Sequence, residues 1–516
     1  MDRSSVRNFF ERGSASRYLG ARWIFLRALG AFHFSVFYSL AFQIHGLLGD
    51  RGVLPVTELF DFFRAREPGV ARFWTIPSLL WLAPSDRGLS ALVAVGLVSS
   101  VLVVANVAPR AALAVCGVCF LSFVSAAQDF SSYQSDGMLL EATAAAVVIA
   151  PRGFRPRFGE SDPPSRAARV VLLWECFRIY FESGVAKIAS GDPSWRDLTA
   201  MDHYYENGPL PTWLGYWAQQ LPHGFHVFSA GATIAIELVI VFGMWIPRLR
   251  VATFAILTTL QIGIISTANY CFLNHLVLAL GIFLVDDDAL RRVRLAIPRA
   301  SSALRASTGA RFWISAVWLS LLFYASVAVF AFAGAPEPMA YVAAPAEALA
   351  HLRLANRYGL FARMTNVRYE ISFEGSDDGV HWSTYRFRYK PQDPKEAPKF
   401  FAPYQPRFDW NLWFCAVAEE GVRRSQIVRV ARASCPWVVS AEARLLEASP
   451  DVLRLFRDDP FHGRAPRFVR TMLDQYWMTD ASTHRATGAY WRVARVGRYT
   501  TSLGRDDDGT IFIAEN

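Results

Sequence analysis

Residues 88–108 read GLSALVAVGLVSSVLVVANVA, a stretch of 21 residues without a charged side chain. An α-helix rises about 1.5 Å per residue. A helix of this length therefore crosses the roughly 30 Å hydrocarbon core of a lipid bilayer. The stretch predicts a membrane-spanning helix, and it makes the chain a membrane protein.

Eight other segments share this apolar composition, so the front of the chain is predicted to hold about nine spans. Their approximate bounds are 19–44, 111–128, 135–150, 168–189, 225–246, 250–267, 269–285 and 312–334. The segments at 135–150 and 269–285 are short, which is compatible with tilted, buried or re-entrant helices. The first segment is too long for a cleavable signal peptide, so we expect it to remain as a span.

Arginine is concentrated in alternate loops between these segments. Four arginines precede the first span, and the loops on the other side are balanced or acidic. Because basic loops stay in the cytoplasm, the pattern predicts a cytoplasmic N-terminus and, with nine spans, a periplasmic or lumenal C-terminus. The net charge of +9 follows from this topology and does not indicate a nucleic-acid partner. Only four lysines occur, which suggests a GC-rich bacterial genome and hence a bacterial inner membrane, or the endoplasmic reticulum in a eukaryote.

The composition becomes polar and aromatic near residue 335. We therefore predict a helical membrane domain at 1–334, with structured outer loops, and a soluble, β-rich domain at 335–516. Strands are expected at 367–373, 382–389, 425–430 and 491–499, and helices at 411–418 and 440–457. The predicted architecture is a sandwich-like antiparallel sheet. Cys415 and Cys435 lie in this domain and could form a disulfide in an oxidising compartment.

Charged side chains occur inside the fourth and fifth predicted spans. Each costs about 2.5–3.5 kcal/mol in hydrocarbon, so such groups mark ion pairs or water-filled cavities. Glu175, Arg178 and Glu182 are spaced by three and four residues and share one face of a helix. Together with Glu141 of the fourth span they predict an intramembrane charge network, most simply a structural ladder of ion pairs.

Lys187 is the only lysine in the first 389 residues, and Glu237 lies in the middle of the sixth predicted span. A buried lysine can lose its proton and act as a base, whereas arginine cannot. One hypothesis is that Lys187 and Glu237 face each other as a catalytic pair. The alternative is that Lys187 contacts carbonyl groups or reaches the outer interface. No diagnostic spacing predicts a metal, a nucleotide or a catalytic nucleophile.

Several longer motifs resemble the lipase maturation factor family. They include FESGVAKIASGDPSWRDLTA at 181–200, NYCFLN at 269–274, YGLFA at 358–362 and PRFDWNLWF at 406–414. The resemblance implies a multipass protein whose lumenal domain helps secreted lipases to fold and assemble. It also suggests that the outer loops and the C-terminal motif contact client proteins. The candidate client-surface residues are Trp195, Arg196, His203, Tyr204, Tyr205, Arg407, Asp409 and Trp410.

The membrane part is also distantly similar to the transmembrane domain of vitamin K-dependent γ-carboxylases. In that class an intramembrane lysine is thought to act as the base, and the matching position here is Lys187. This similarity implies an alternative function: an intramembrane enzyme that acts on a lipid-soluble or protein substrate, with a quinone-like or lipid cofactor. The favoured hypothesis is a chaperone-like maturation factor that is not an enzyme and has no cofactor. Its partners would be membrane lipids and secreted clients.

Overall fold

The front of the chain folds into helices, and each of the nine predicted apolar segments contains a helix within its described residues. The computed structural model describes residues 9–10, 17–67, 69–131, 133–301, 309–331, 340–417, 431 and 434–514. The helices of the front part are α1 (Leu19–Leu48), α2 (Val56–Arg66), α3 (Ala71–Thr75), α4 (Asp86–Val104), α5 (Pro109–Ala126), α6 (Gln134–Ile149), α7 (Arg166–Ala189), α8 (Pro193–Arg196), α9 (Ala200–Asn207), α10 (Trp213–Gln219), α11 (His223–Leu238), α12 (Arg250–Thr267), α13 (Leu273–Gly281), α14 (Asp287–Arg292) and α15 (Gly309–Ala331). Short 3-10 turns extend α11 through Ile240–Trp245 and α13 through Ile282–Leu284.

Six helices of the described part are long and apolar enough to cross a membrane. They are α1, α4, α5, α11 with its 3-10 extension, α12 and α15. The predicted count of nine spans is therefore not confirmed. Helix α6 has only 16 residues, α7 carries six charged side chains, and α13 with its extension is also short.

Residues 88–104 of the quoted stretch belong to α4, which packs closely against α1. Ser85 caps the start of α4 by accepting a hydrogen bond from the backbone N–H of Gly88. A Cβ atom added at Gly96 would lie 2.4 Å from the Phe37 ring, and one at Gly30 would lie 2.9 Å from Val103. Small residues therefore allow the two helices to approach, as is typical of packing between membrane helices.

The C-terminal part contains one antiparallel sheet within the described residues. Its strands are β1 (Arg368–Ser376), β2 (Ser383–Thr384), β3 (Phe468–Met478), β4 (Trp491–Arg498), β5 (Leu503–Arg505) and β6 (Ile511–Ile513). Its helices are α16 (Ala340–Ala350), α17 (Arg407–Val417), α18 (Trp437–Leu446), α19 (Pro450–Leu453) and α20 (Ala481–Thr487). The strand order is β2-β1-β3-β5-β6, and β4 also pairs with β3. The long central pairing joins β1 to β3 over the nine positions from Arg368–Tyr476 to Ser376–Phe468.

The prediction of a sandwich is wrong for the residues that the structure describes. Helices α17 and α18 pack on the sheet at β1 and β3, so helices cover the apolar face that a second sheet would cover in a sandwich. The predicted strand at 382–389 is reduced to the two residues of β2, and the predicted strand at 425–430 lies outside the described residues. The predicted boundary between 334 and 335 also falls outside them.

The sheet-containing part is joined to the helical bundle through a continuous apolar core. Arg407, the first residue of α17, donates hydrogen bonds to both carboxylate oxygens of Asp136 in α6, at 2.8 and 2.9 Å. Both side chains are fully buried. Arg407 also donates to the carbonyl oxygen of Phe130 at 2.7 Å. The two parts of the molecule therefore meet in a buried joint.

Candidate functional site

The predicted charge network lies where α6 and α7 meet the segment that follows α16. Arg178 forms a short ion pair with Glu141 and lies 3.5 Å from Glu182. It also donates a 2.8 Å hydrogen bond to the carbonyl oxygen of Asn356. Tyr358 completes the network, because its hydroxyl donates to Glu141 at 2.8 Å and its backbone N–H donates to Glu182 at 2.7 Å. Asn356 and Tyr358, which follow α16, therefore supply hydrogen bonds that complete the network.

Glu175 belongs to the same helix and lies near this network, but it is not hydrogen-bonded to the network's described residues. Its side chain is fully buried, and neither carboxylate oxygen has a hydrogen-bond partner among the described residues. The predicted ladder along α7 is thus limited to Arg178 and Glu182, and Arg178 uses most of its donors on groups outside α7.

Lys187 and Glu237 face each other between α7 and α11. The Lys187 Nζ atom lies 3.0 Å from one carboxylate oxygen of Glu237 and 2.9 Å from the other. It also donates to the carbonyl oxygen of Leu360 at 2.9 Å and lies 5.1 Å from the centroid of the Trp195 ring. Gly184 permits this geometry, since a Cβ atom there would lie 2.9 Å from the Cβ of Glu237.

A cavity of about 500 Å³ lies beside this pair, within the range of small-molecule sites. Helices α9, α11 and α12 supply most of its walls, and Lys187 and Glu237 are the charged side chains of its described lining. The other lining residues are mainly apolar and aromatic. Phe228, also in the lining, is 70% exposed on α11, so the cavity reaches the outer surface of the bundle. The arrangement suits an apolar molecule that carries a small polar group.

Six of the eight candidate client-surface residues are buried, so that prediction is wrong for them. The buried residues are Trp195, Tyr204, Tyr205, Arg407, Asp409 and Trp410. The reason is tertiary packing: Trp195 donates to the carbonyl oxygen of Phe361 at 2.9 Å, and Tyr204 packs on the rings of Phe361 and Tyr205. Arg196 is exposed and His203 is half-buried. Aromatic residues and arginine are as typical of packed interfaces as of exposed binding surfaces.

Asp409 is held in the joint by backbone groups. It accepts hydrogen bonds from the N–H groups of Tyr389 at 3.1 Å and Lys390 at 3.2 Å. Burial raises the pKa of Asp409 to about 6, although these two hydrogen bonds and the Lys390 charge oppose the rise. Its contacts indicate that Asp409 fixes the chain that leads into α17.

The sequence did not predict that segment 356–361 contacts the buried charges of the membrane part. Asn356 and Tyr358 hydrogen-bond to the Arg178–Glu141 network. The carbonyl oxygen of Leu360 accepts a hydrogen bond from Lys187. Carbonyl oxygens carry no signature in a sequence. The only available signal was the YGLFA motif at 358–362, which the family resemblance singled out without assigning it a role.

The chain matches two family models, and they cover both parts of the joint. The lipase maturation factor transmembrane domain matches residues 20–292, and the lipase maturation factor C-terminal domain matches residues 354–501. The chain belongs to the lipase maturation factor family. The resemblance inferred from the motifs is therefore confirmed.

Individual relatives agree with this assignment. Lipase maturation factor 2 of Gallus gallus is 30% identical, over 94% of this chain and 81% of the relative. Human lipase maturation factor 2 is 29% identical, over 94% and 83%. Human lipase maturation factor 1 is 28% identical, over 94% and 88%. No solved structure matches the chain. Lys187 and Glu237 fall within the transmembrane match and Leu360 within the C-terminal match, so the contacts of Lys187 bring the two matched regions together.

Proposed function

We propose that this protein is a membrane-embedded maturation factor that assists the folding and assembly of secreted proteins, with lipases as the first clients to test. The observation that carries the proposal is the similarity to lipase maturation factors over 94% of the chain. The buried joint supports it, because the Arg407–Asp136 pair holds the C-terminal domain in one position on the bundle. A client released at the membrane would then meet a surface of fixed shape.

The proposed role is chaperone-like and requires the C-terminal domain to face the secretory side. We infer that the arginine-rich loops and the N-terminus face the cytoplasm and that the chain crosses the membrane an odd number of times, which places this domain on the opposite side. That side is the periplasm if the source is bacterial and the lumen of the endoplasmic reticulum if it is eukaryotic. Arg196, whose side chain is 78% exposed, remains a candidate for contact with clients.

The test is deletion of the gene in its source organism, followed by assay of each secreted lipase. We expect the specific activity of at least one lipase to fall while its transcript level is unchanged, and we expect the wild-type gene to restore it. Complementation with Arg407→Met, which breaks the joint, should fail. Arg457→Met removes exposed ion pairs with Glu396 and Asp458 and should restore activity. Unchanged activity of every secreted lipase after deletion would rule out lipases as clients.

A second function is favoured by one observation, the Lys187–Glu237 pair beside the 500 Å³ cavity. Under this alternative the protein is an intramembrane enzyme acting on a lipid-soluble or protein substrate, and Lys187 serves as the base. Lys187 would first have to give up its proton, and Glu237 is placed to accept it at 2.9 Å. A quinone-like or lipid cofactor would occupy the apolar part of the cavity.

Lys187→Arg separates the two functions. Arginine keeps the positive charge but does not lose its proton in proteins, so an enzyme would lose activity although the protein still folds. A maturation factor that uses Lys187 only for structure would keep working. If Lys187→Arg accumulates normally and fully restores lipase maturation in the deletion strain, the enzymatic alternative is excluded.

A further inference from the structure

A second, larger cavity lies at the opposite end of α6 from the joint. The joint contacts Asp136 near the start of α6, and this cavity includes Val147 and Val148 near its end. The two ends are roughly 20 Å apart at 1.5 Å per residue. The cavity has a volume of about 980 Å³. Its described lining shares no residue with that of the cavity beside Lys187.

Three arginines line this cavity: Arg110, Arg152 and Arg311. Arg110 is the second residue of α5, Arg152 follows the end of α6, and Arg311 is near the start of α15. The distribution of arginine among the loops places all three residues on the predicted cytoplasmic side. Three elements that are distant in sequence thus bring their guanidinium groups to one place.

Two of the three guanidinium groups are held in position. Arg110 donates hydrogen bonds to the carbonyl oxygens of Val148 at 3.0 Å and Ala150 at 2.6 Å. Arg152 is paired with Asp162 at 2.7 Å. Arg311 is exposed. Because Asp162 offsets one of the three positive charges and no acid occurs among the described lining residues, the cavity has an excess of about two positive charges by this count.

The remaining walls are apolar and belong to membrane helices. Ala111 and Ala114 of α5 leave space opposite Ile314 and Trp318 of α15. Both α5 and α15 are long and apolar enough to cross a membrane. Trp318 is fixed by a 3.0 Å hydrogen bond from its indole N–H to the carbonyl oxygen of Ala144. The cavity therefore has a positive end and an apolar slot that follows two membrane helices.

We propose that this cavity binds an anionic phospholipid, with its phosphate at the three guanidinium groups and an acyl chain in the slot between α5 and α15. Arginine matches phosphate in geometry as well as charge. Basic pockets between membrane helices on the cytoplasmic side are typical sites for anionic head groups. A free phosphate would use the same arginines but would gain nothing from the apolar slot, so the structure favours the lipid. The proposal does not depend on the maturation function.

The test is lipid binding to the full-length protein, purified in detergent and stripped of lipid. Binding of phosphatidylglycerol and phosphatidylcholine is measured by native mass spectrometry, and thermal stability is followed in parallel. We expect phosphatidylglycerol to bind more tightly and to raise the melting temperature. Inorganic phosphate and glycerol 3-phosphate at the same concentrations should raise it little. Equal binding of the two lipids, or equal stabilisation by inorganic phosphate, would overturn the proposal.

Two variants probe the two ends of the cavity separately. Arg311→Gln should weaken phosphatidylglycerol binding roughly fivefold, as expected for the loss of one basic residue near a membrane surface. Ala111→Trp fills the slot without changing the charge and should weaken it as well. The matched controls are Arg248→Gln and Ala94→Trp, at exposed positions outside the lining of this cavity. Both should bind like the wild type. If the cavity variants behave like their controls, the lipid binds elsewhere and the proposal fails.

Discussion

The buried charges of this protein fall into two regions that differ in what surrounds them. In the joint, Arg407 and Asp136 are enclosed on all sides, and Arg178 is enclosed in the same way by Glu141 and Glu182. The Lys187–Glu237 pair is almost as deeply buried, yet it borders a cavity that reaches the outer surface. Burial alone therefore does not tell a structural ion pair from a functional one. The difference is whether a second molecule can reach the pair.

The comparison is tested most severely by Arg407→Met. The substitution leaves Asp136 buried without its cation, which costs about 3–5 kcal/mol in the free energy of unfolding. Chemical denaturation of the purified protein in detergent measures this loss. Arg457→Met, which removes the exposed pair with Glu396, should cost about 1 kcal/mol or less. Similar losses in the two variants would mean that the joint does not hold the domains together.

The disulfide between Cys415 and Cys435 supports the same joint from the far end of α17. The two residues are 20 positions apart in sequence, and closing a loop of that length stabilises the folded chain by about 3 kcal/mol. Replacing both cysteines by serine should lower the free energy of unfolding by this amount. A reducing agent should have the same effect on the wild type and none on the variant. A reductant effect that persists in the variant would come from another source.

Much of the helical architecture was predictable because the signal is local. The nine apolar segments were located to within a few residues, since the length of an apolar run is visible without knowing its neighbours. The pairing of Lys187 with Glu237 was proposed because Lys187 is the only lysine in the first 389 residues and Glu237 is an isolated charge in an apolar span. The same local reasoning failed for β3, whose sequence FVRTMLDQYWM is buried on both sides of the strand over Thr471–Asp474 and shows no clean alternation.

The aromatic residues of the outer loops show where sequence reasoning stops. Trp195 and Tyr204 were assigned to an exposed client surface, yet Phe361 covers both. Phe361 lies more than 150 positions further along the chain, so which face it covers is decided by tertiary packing. The acceptor at Leu360 was hidden for a related reason, because every residue has a carbonyl oxygen and only the fold selects one.

The Lys187–Glu237 pair, which borders a cavity, should tolerate loss of its cation better than the enclosed Arg407–Asp136 pair. Lys187→Met leaves Glu237 buried beside the cavity and should cost about 2 kcal/mol, below the 3–5 kcal/mol of a fully enclosed partner, because Glu237 borders a cavity and is not enclosed on all sides. Adding Glu237→Met removes the remaining charge and should restore most of the loss, again measured by denaturation in detergent. If the double variant is no more stable than Lys187→Met, the ion pair itself stabilises the helices and its role is structural.

Glu442 of α18 is a buried acid that differs from Asp136 and Glu237, because its partners are hydroxyl groups and not cations. Thr471 donates to it at 2.9 Å, and Thr500 donates through a shorter contact. Burial raises the pKa of Glu442 from 4.5 to about 8, although these hydrogen bonds oppose the rise.

The folded protein therefore holds one more proton than the unfolded chain between these two pH values. The stabilisation from neutral Glu442 is complete below pH 4.5 and is lost as the pH rises through about 8. Between pH 6 and pH 7 the free energy of unfolding should fall by about 1.4 kcal/mol more in the wild type than in Glu442→Gln. Denaturation of both proteins at the two pH values measures the difference. Parallel pH profiles would show that Glu442 titrates normally in the folded state, and that a buried acid in this domain does not need a cation to remain charged.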